Sequence, residues 1–264
     1  MVAQGPPDPE GVAAALAGDG TRDVAFVIDG DRVIFARAPQ TAWSTAVSAL
    51  IAGIWQTAPR QALRLLRRPI CLLREPTEAE REMIRVAAKR WRQVAPAVEA
   101  TPLGTTLDVS VAAAVSRRLA ATWLREAPRS SMGGAQPMEV AQQIAKGGRR
   151  DGHRARQDRP VGAVLVDPSG RLIAAARNRN GRCRVRHAEL SLVQAWGEAR
   201  GALPAGSTLW VTLQPCRMCA AWWVAASGGQ SDVVFAERDP GPMAQGTALE
   251  RLGIQRFLDD ISSS

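Results

Sequence analysis

The segment VAFVIDGDRVIFARA (24–38) sets apolar residues in alternation around an Asp-Gly turn, the pattern of a β-hairpin. Trp43, Val47, Leu50, Ile51 and Ile54 then recur at helical spacing and predict an amphipathic helix over 41–57. RPICLL (68–73) reads as a short buried strand. TEAEREMIRVAAKRW opens with Thr77 and Glu80 three apart, the capping-box spacing of a helix start. A further helix is expected from about Leu107 to Arg125, after TPLGTT. The first twenty residues are rich in Gly, Pro and Asp and read as a flexible tail. Residues 21–127 thus form a small α/β accessory domain, in which no catalytic constellation stands out.

Pro, Gly and Ser concentrate in PRSSMGGAQP (128–137), the expected linker to a second domain over 138–264. There the pattern gives a short helix (138–146), a polar loop, strand VGAVLV (161–166), an Asp-Pro-Ser-Gly turn and a strand over 171–176. A helix begins near His187, a strand near Leu209, a helix at Pro215, a strand DVVFAE at 232–237 and a last helix near Thr247. Strands alternating with helices in this order fit a central sheet covered by helices.

Composition adds limits. The 264 residues are 46% hydrophobic and 22% charged, an ordinary globular balance. Four scattered cysteines do not make a disulfide framework. The N-terminus lacks a basic segment before an apolar one, and no apolar run approaches the roughly 20 residues that span a bilayer. A cytoplasmic protein without membrane contact is expected. The net charge of +9 is local: Lys146 to Arg186 holds twelve basic residues against three acids, so the rest of the chain is neutral. A concentration of this kind attracts polyanions, although an arginine-rich solvated loop would read the same way.

Candidate chemistry lies beside that charge. Three N and S ligands with one open position for water are what a hydrolytic zinc site requires. RHAEL (186–190) offers His187, and LQPCRMC (213–219) offers Cys216 and Cys219, three apart on the first turn of a helix that Pro215 is suited to open. The helix dipole favours the thiolates. Glu189 can reach the fourth position without ligating. Alone, C-x-x-C is often two buried thiols or a redox pair, and a lone His is seldom a ligand. Joined as H-x-E and, 29 residues after the His, P-C-x-x-C, they form the zinc deaminase signature. Cys71 and Cys183 stand outside the ligand set. Trp222 and Trp223 read as core.

These motifs carry a resemblance. RPVGAVLVDPSGRLIAAARN, HAE, TLWVTLQPCRMCA and DVVFAERD fall in an order and spacing similar to the cytidine and deoxycytidylate deaminase superfamily, most closely its tRNA adenosine deaminase branch, over 160–256. The resemblance implies a three-layer α-β-α fold with a five-stranded mixed sheet, Zn2+ held by His187, Cys216 and Cys219, and Glu189 as proton shuttle. It implies that Asn178 bonds the target nucleoside, that the Ala188 backbone reads the base, and that Val161, Gly162 and Ala163 line the pocket. Gln214 departs from the branch, which has Glu there, and so does the stretch after Asp239.

The expected function is hydrolytic deamination of adenine or cytosine, in single-stranded or looped nucleic acid such as tRNA or ssDNA. Arg177, Arg179, Arg182, Arg184 and Arg186 would contact phosphates and unpaired bases. A deaminase of free nucleobases, nucleosides or nucleotides is the alternative. A non-catalytic nucleic-acid-binding protein with a relic zinc site is a third reading. Nucleic acid and a second copy of the chain are the expected partners.

Overall fold

The computed structural model describes residues 7–18, 23–38, 41–100, 103, 105–110, 113, 137–147, 159–181 and 183–262. The chain divides into two compact units, Met1–Ser116 and Arg117–Ser264. Apart from Pro137, the expected linker lies outside the described residues.

The N-terminal unit is built on the predicted hairpin, β1 (Val24–Asp29) and β2 (Arg32–Arg37), paired from Val24↔Arg37 to Asp29↔Arg32 around Gly30, whose φ is +67°. Three short strands extend it: β3 (Ile70–Leu72), β4 (Trp91–Gln93) and β5 (Thr105–Asp108), in the order β4-β3-β1-β2-β5. The first twenty residues are not simply a tail. Asp8 caps helix α1 (Pro9–Ala17), accepting from the Gly11 N–H at 2.9 Å, and Pro9 occupies the first turn, where a missing N–H costs nothing. Val12, Ala13 and Leu16 of α1 are buried against Val24, Phe26, Val33, Phe35 and Cys71.

Alternate residues of the hairpin, Ala25, Val27, Ile34 and Ala36, are fully buried on the other face, and α2 (Ala46–Thr57) contacts both strands. α2 starts later than the pattern suggested, because Thr45 and Ser48 close a capping box; Trp43 precedes it. α3 (Ala62–Leu65) and α4 (Glu78–Ala87) follow, the latter with the predicted Thr77–Glu80 box. The helix expected from Leu107 is corrected: Leu107 and Asp108 pair in β5, parallel to β2. Ser110 and Ala113 are helical, and the rest of that span lies outside the described residues.

The C-terminal unit contains α5 (Pro137–Gly147), β6 (Gly162–Val166), β7 (Leu172–Arg177), α6 (Ala188–Arg200), β8 (Thr208–Leu213), α7 (Arg217–Ser227), β9 (Asp232–Glu237), α8 (Ala248–Leu252), β10 (Gln255–Phe257) and α9 (Leu258–Ser262). β10 and α9 follow the helix that the pattern made last. The sheet order is β10-β9-β8-β6-β7; β6 is antiparallel to β7 and β8, and β8, β9 and β10 are parallel. This is the five-stranded mixed sheet that the resemblance implied. Met138 and Ala141 of α5 pack on Val164, Val166, Ala175 and Val234, with Leu258 of α9 at the edge. Ala163 and Leu165 point to the opposite face and are fully buried; α6 contacts β6 and β7 there. Trp222 and Trp223 are 1% exposed and belong to the core. No helix among the described residues is long and apolar enough to cross a membrane.

Candidate metal centre

Two helix starts build the site. His187 is the N-cap of α6 and Cys216 the N-cap of α7, both extended, and neither side chain caps its own helix. Pro215 therefore precedes the cap and does not occupy the first helical position as the sequence suggested. The freed side chains meet: Cys216 Sγ lies 3.6 Å from His187 Nδ1, and the ligand atoms of His187, Cys216 and Cys219 are all within 4.8 Å of one another. A tetrahedral zinc with ordinary Zn–N and Zn–S bonds separates its donors by about 3.5 Å (N to S) and 3.8 Å (S to S). The His187–Cys216 separation matches the first of these, and the donor set fits the ion.

Electrostatics point the same way. Cys216 is held well below the usual thiol pKa by hydrogen bonds from the Cys219 side chain and from His187. Burial drives Cys219 in the opposite direction, and the charge of Cys216 adds to it. Burial works to lower the His187 pKa, but the Cys216 thiolate outweighs it and pushes the ring up to about 9. Without a cation the cluster favours negative charge on Cys216 and opposes it on Cys219; a divalent cation would supply the charge that lets both sulfurs ionise. The ring also donates to the Arg184 carbonyl, which leaves Nδ1 facing the thiols, the outer support typical of metal-binding histidines.

Glu189 stands one residue inside α6. It is 4% exposed, and its Oε2 has no hydrogen-bond partner. Burial raises its pKa to about 7, the His187 charge opposing and the Cys216 charge adding. A buried carboxylate with an orphan oxygen beside two thiols and an imidazole is poised to exchange a proton near neutral pH.

A family model described as Bd3614-like deaminase matches residues 152–260. The match falls within the C-terminal unit. Over 101 residues the chain is 38% identical to the tRNA-specific adenosine deaminase of Bacillus subtilis, covering 37% of this chain and 61% of that protein. Over 70 residues it is 46% identical to the tRNA-specific adenosine deaminase of Agrobacterium fabrum, covering 25% and 45%. A solved structure from studies of A-to-I editing by tRNA:A34 deaminases at the wobble position of transfer RNA aligns at 35% identity over 43% of this chain and 81% of that one, with a TM-score of 0.34. The chain therefore spans less than two thirds of the length of these curated relatives.

Around this centre the C-terminal unit places the other expected residues unevenly. Asn178 donates through Nδ2 to the Arg159 carbonyl (3.2 Å), while its buried Oδ1 lacks a hydrogen bond. Ala188 is fully buried at the first position of α6, and Val161 and Ala163 are buried at the start of β6. Gly162 backs onto α5, where a Cβ would come within 2.1 Å of the Ala141 oxygen, so a close helix contact calls for glycine there. The arginine loop is less open than its composition suggests. Backbone bonds from Arg179 N to Arg186 O (2.8 Å) and Arg186 N to Cys183 O (2.9 Å) close it. Arg184 is exposed, Arg177, Arg179 and Arg186 are half-buried, and Arg182 lies outside the described residues. Cys183 is buried, which pushes its thiol up to about 11, and it is not in the ligand cluster.

Pattern reading missed a chain of polar contacts. Glu250 Oε1 accepts from Gln214 Nε2 (3.2 Å), Gln214 Oε1 accepts from the Asp239 N–H (3.3 Å), Asp239 Oδ2 pairs with Arg159 (2.9 Å), and the Arg159 carbonyl holds Asn178. The run of one residue type to another carries no signal for these links, since their members lie 19 to 80 positions apart. Gln214, a departure from the family pattern, is here the joint between β8 and the segment after Asp239.

Proposed function

We propose that the protein is a zinc-dependent hydrolytic nucleobase deaminase acting on adenine or cytosine in single-stranded or looped nucleic acid, in the cytoplasm. The observation that carries this reading is the convergence of His187, Cys216 and Cys219 next to a buried carboxylate, Glu189, with one oxygen unpartnered. Zinc, when bound by these three side chains, supplies a Lewis acid that makes a water molecule easier to deprotonate. Glu189 Oε2 takes a proton from the attacking water and returns it to the departing amine nitrogen. Water and the amino base become a keto base and ammonia, and the glutamate ends as it began. Cys219 and Cys216 stay as ligands throughout, their orientation fixed by the first turn of α7.

Binding is assigned to the surrounding elements. Asn178, held through Nδ2, presents Oδ1 to a donor on the nucleoside; the Ala188 N–H at the start of α6 meets the base; Val161 and Ala163 give the apolar wall. Arg177, Arg179, Arg184 and Arg186, with Arg182, approach the phosphates, Arg184 being the most exposed of those described. The N-terminal region, 21–127, serves on this reading as an accessory domain joined through 128–137. Ammonia release and product mass from single-stranded RNA, single-stranded DNA and free nucleosides test the assignment. Turnover of an oligonucleotide with little turnover of the nucleoside is expected. Efficient turnover of free nucleosides alone would move the reading to small-molecule deamination.

A further inference from the structure

The N-terminal unit gathers positive charge on one face although it is nearly neutral as a whole. Residues 1–116 hold thirteen basic and twelve acidic side chains, while 58–73, APRQALRLLRRPICLL, has four arginines and no acid. The turn and α3 segment buries Ala62, Leu65 and Leu66 and leaves Arg60, Arg64, Arg67 and Arg68 exposed. A second basic turn is fastened to it: Arg90 donates to the Arg67 carbonyl at 2.6 Å, and the Ile70 N–H donates to the Arg90 carbonyl at 3.1 Å. Exposed Lys89 stands at this joint. The ion pairs of this face go to Asp29, which holds Arg64 at 2.7 Å and Arg68 at 3.4 Å and so orients two of the guanidinium groups.

Lys89 gives the independent observation. It follows the end of α4, its N–H bonding the Ile84 carbonyl, with φ +74°, the one positive φ outside glycine among the described residues. Glycine is the residue that helix ends favour there, because a Cβ is strained in that conformation. A lysine kept at a strained, exposed turn beside four arginines is better explained by its charge than by the fold.

We propose that Arg60, Arg64, Arg67, Arg68, Lys89 and Arg90 form a phosphate-binding surface that grips the sugar-phosphate backbone of a nucleic acid. Guanidinium forks match phosphate oxygens in pairs, and a row of them gains affinity by releasing counterions. The choice of nucleic acid over another polyanion rests on the deaminase reading of the C-terminal unit.

The test uses the full chain, a fluorescent single-stranded RNA and a salt titration. The triple variant Arg60→Gln, Arg67→Gln, Lys89→Gly spares the ion pairs at Asp29 and the Arg90 contact to the Arg67 carbonyl, since Arg64, Arg68 and Arg90 are untouched. Affinity should fall by about tenfold or more at low salt, and the log-log salt slope should drop by about 2, each single-strand phosphate contributing roughly 0.7. Lys89→Gly alone should weaken RNA binding while its thermal midpoint stays equal or rises, a pair of results that a structural role for the lysine would not give. An unchanged affinity and slope in the triple variant would overturn the proposal. So would unchanged RNA binding together with lost binding to phosphatidylserine vesicles, which would make the face a membrane contact. Ammonia release from free nucleosides and RNA reads the other unit separately: failure of the deaminase reading removes that signal and leaves the RNA-binding difference between variants in place.

Discussion

Two buried glutamates, Glu80 and Glu189, occupy the first turns of helices and have opposite fates. Glu80, fully buried in the N-terminal unit, accepts two hydrogen bonds from Arg74 (2.7 and 2.8 Å) and one from the Thr77 N–H (2.8 Å). Burial works to raise its pKa, but the Arg74 fork and the Thr77 N–H prevail and hold it below the usual carboxylate value. Glu189, nearly as buried, keeps an oxygen without a partner, and burial lifts it to about 7. Burial does not distinguish the two; completion of the hydrogen bonds does. A carboxylate whose lone pairs are spoken for holds a fold together, and one left incomplete beside thiols and an imidazole is available to exchange a proton.

The sharpest way to test the contrast is to remove each centre. Cys216→Ala and Cys219→Ala should each lose stoichiometric zinc, measured by elemental analysis, and all measurable deamination. Structural stability should fall as well, because the remaining buried ligands are left without their cation. Full zinc occupancy in the double variant would remove the metal assignment. Next in size, Glu80→Ala should destabilise the N-terminal unit by about 2–3 kcal/mol in a denaturant titration, since it removes the two Arg74 bonds and the Thr77 N–H bond while Arg74 keeps Asp23 at 2.6 Å. Its zinc content should stay at the wild-type level. A change below about 1 kcal/mol would mean that Glu80 is not the anchor described here.

The pH dependence of that anchor is smaller and has a definite sign. A carboxyl with a lowered folded-state pKa contributes stability that is fully present above its unfolded value, about 4.3, and is lost as pH falls through the folded value. Glu80→Gln should therefore lose stability at neutral pH and show a flatter acid limb than wild type. Asp23, which burial raises, works against this trend, so the limb is shallower than Glu80 alone would give. An acid limb of unchanged slope in Glu80→Gln would contradict the assignment.

How much of this was legible beforehand follows from the physics of each feature. The 24–38 hairpin and the Thr77–Glu80 cap were readable because their determinants are local: an alternation, a turn pair, a three-residue spacing. β4 and β10 have three residues each, too few to display a period, and β5 is specified by its partner β2, far away in sequence. The nine-residue α1 was hidden because Gly, Pro and Asp dominate its neighbourhood, although its Asp8 cap and Pro9 are themselves start signals. His187, Cys216, Cys219 and Glu189 stand out because His and Cys are rare in this chain and their spacing is fixed. The Glu250–Gln214–Asp239–Arg159–Asn178 chain did not, since part of it runs through backbone atoms that no residue type announces.

The smallest expected effect concerns the arginine loop. Replacing Arg182, Arg184 and Arg186 with Gln should reduce the salt slope of single-stranded oligonucleotide binding by about 2. Zinc content should be unaltered, because the Arg184 group that supports His187 is its carbonyl and survives the change. Unaltered binding and slope would assign these arginines to packing within the loop.

The central claim is that Glu189 moves protons and does not hold the metal. Glu189→Gln keeps the size of the side chain and removes its capacity to accept and return a proton. Zinc content, thermal midpoint and ammonia release measured on one preparation of this variant decide the matter. One zinc per chain is expected, with a midpoint equal to or above that of wild type and deamination reduced by about two or more orders of magnitude. Loss of zinc from the variant, or deamination within a few-fold of wild type, would contradict it.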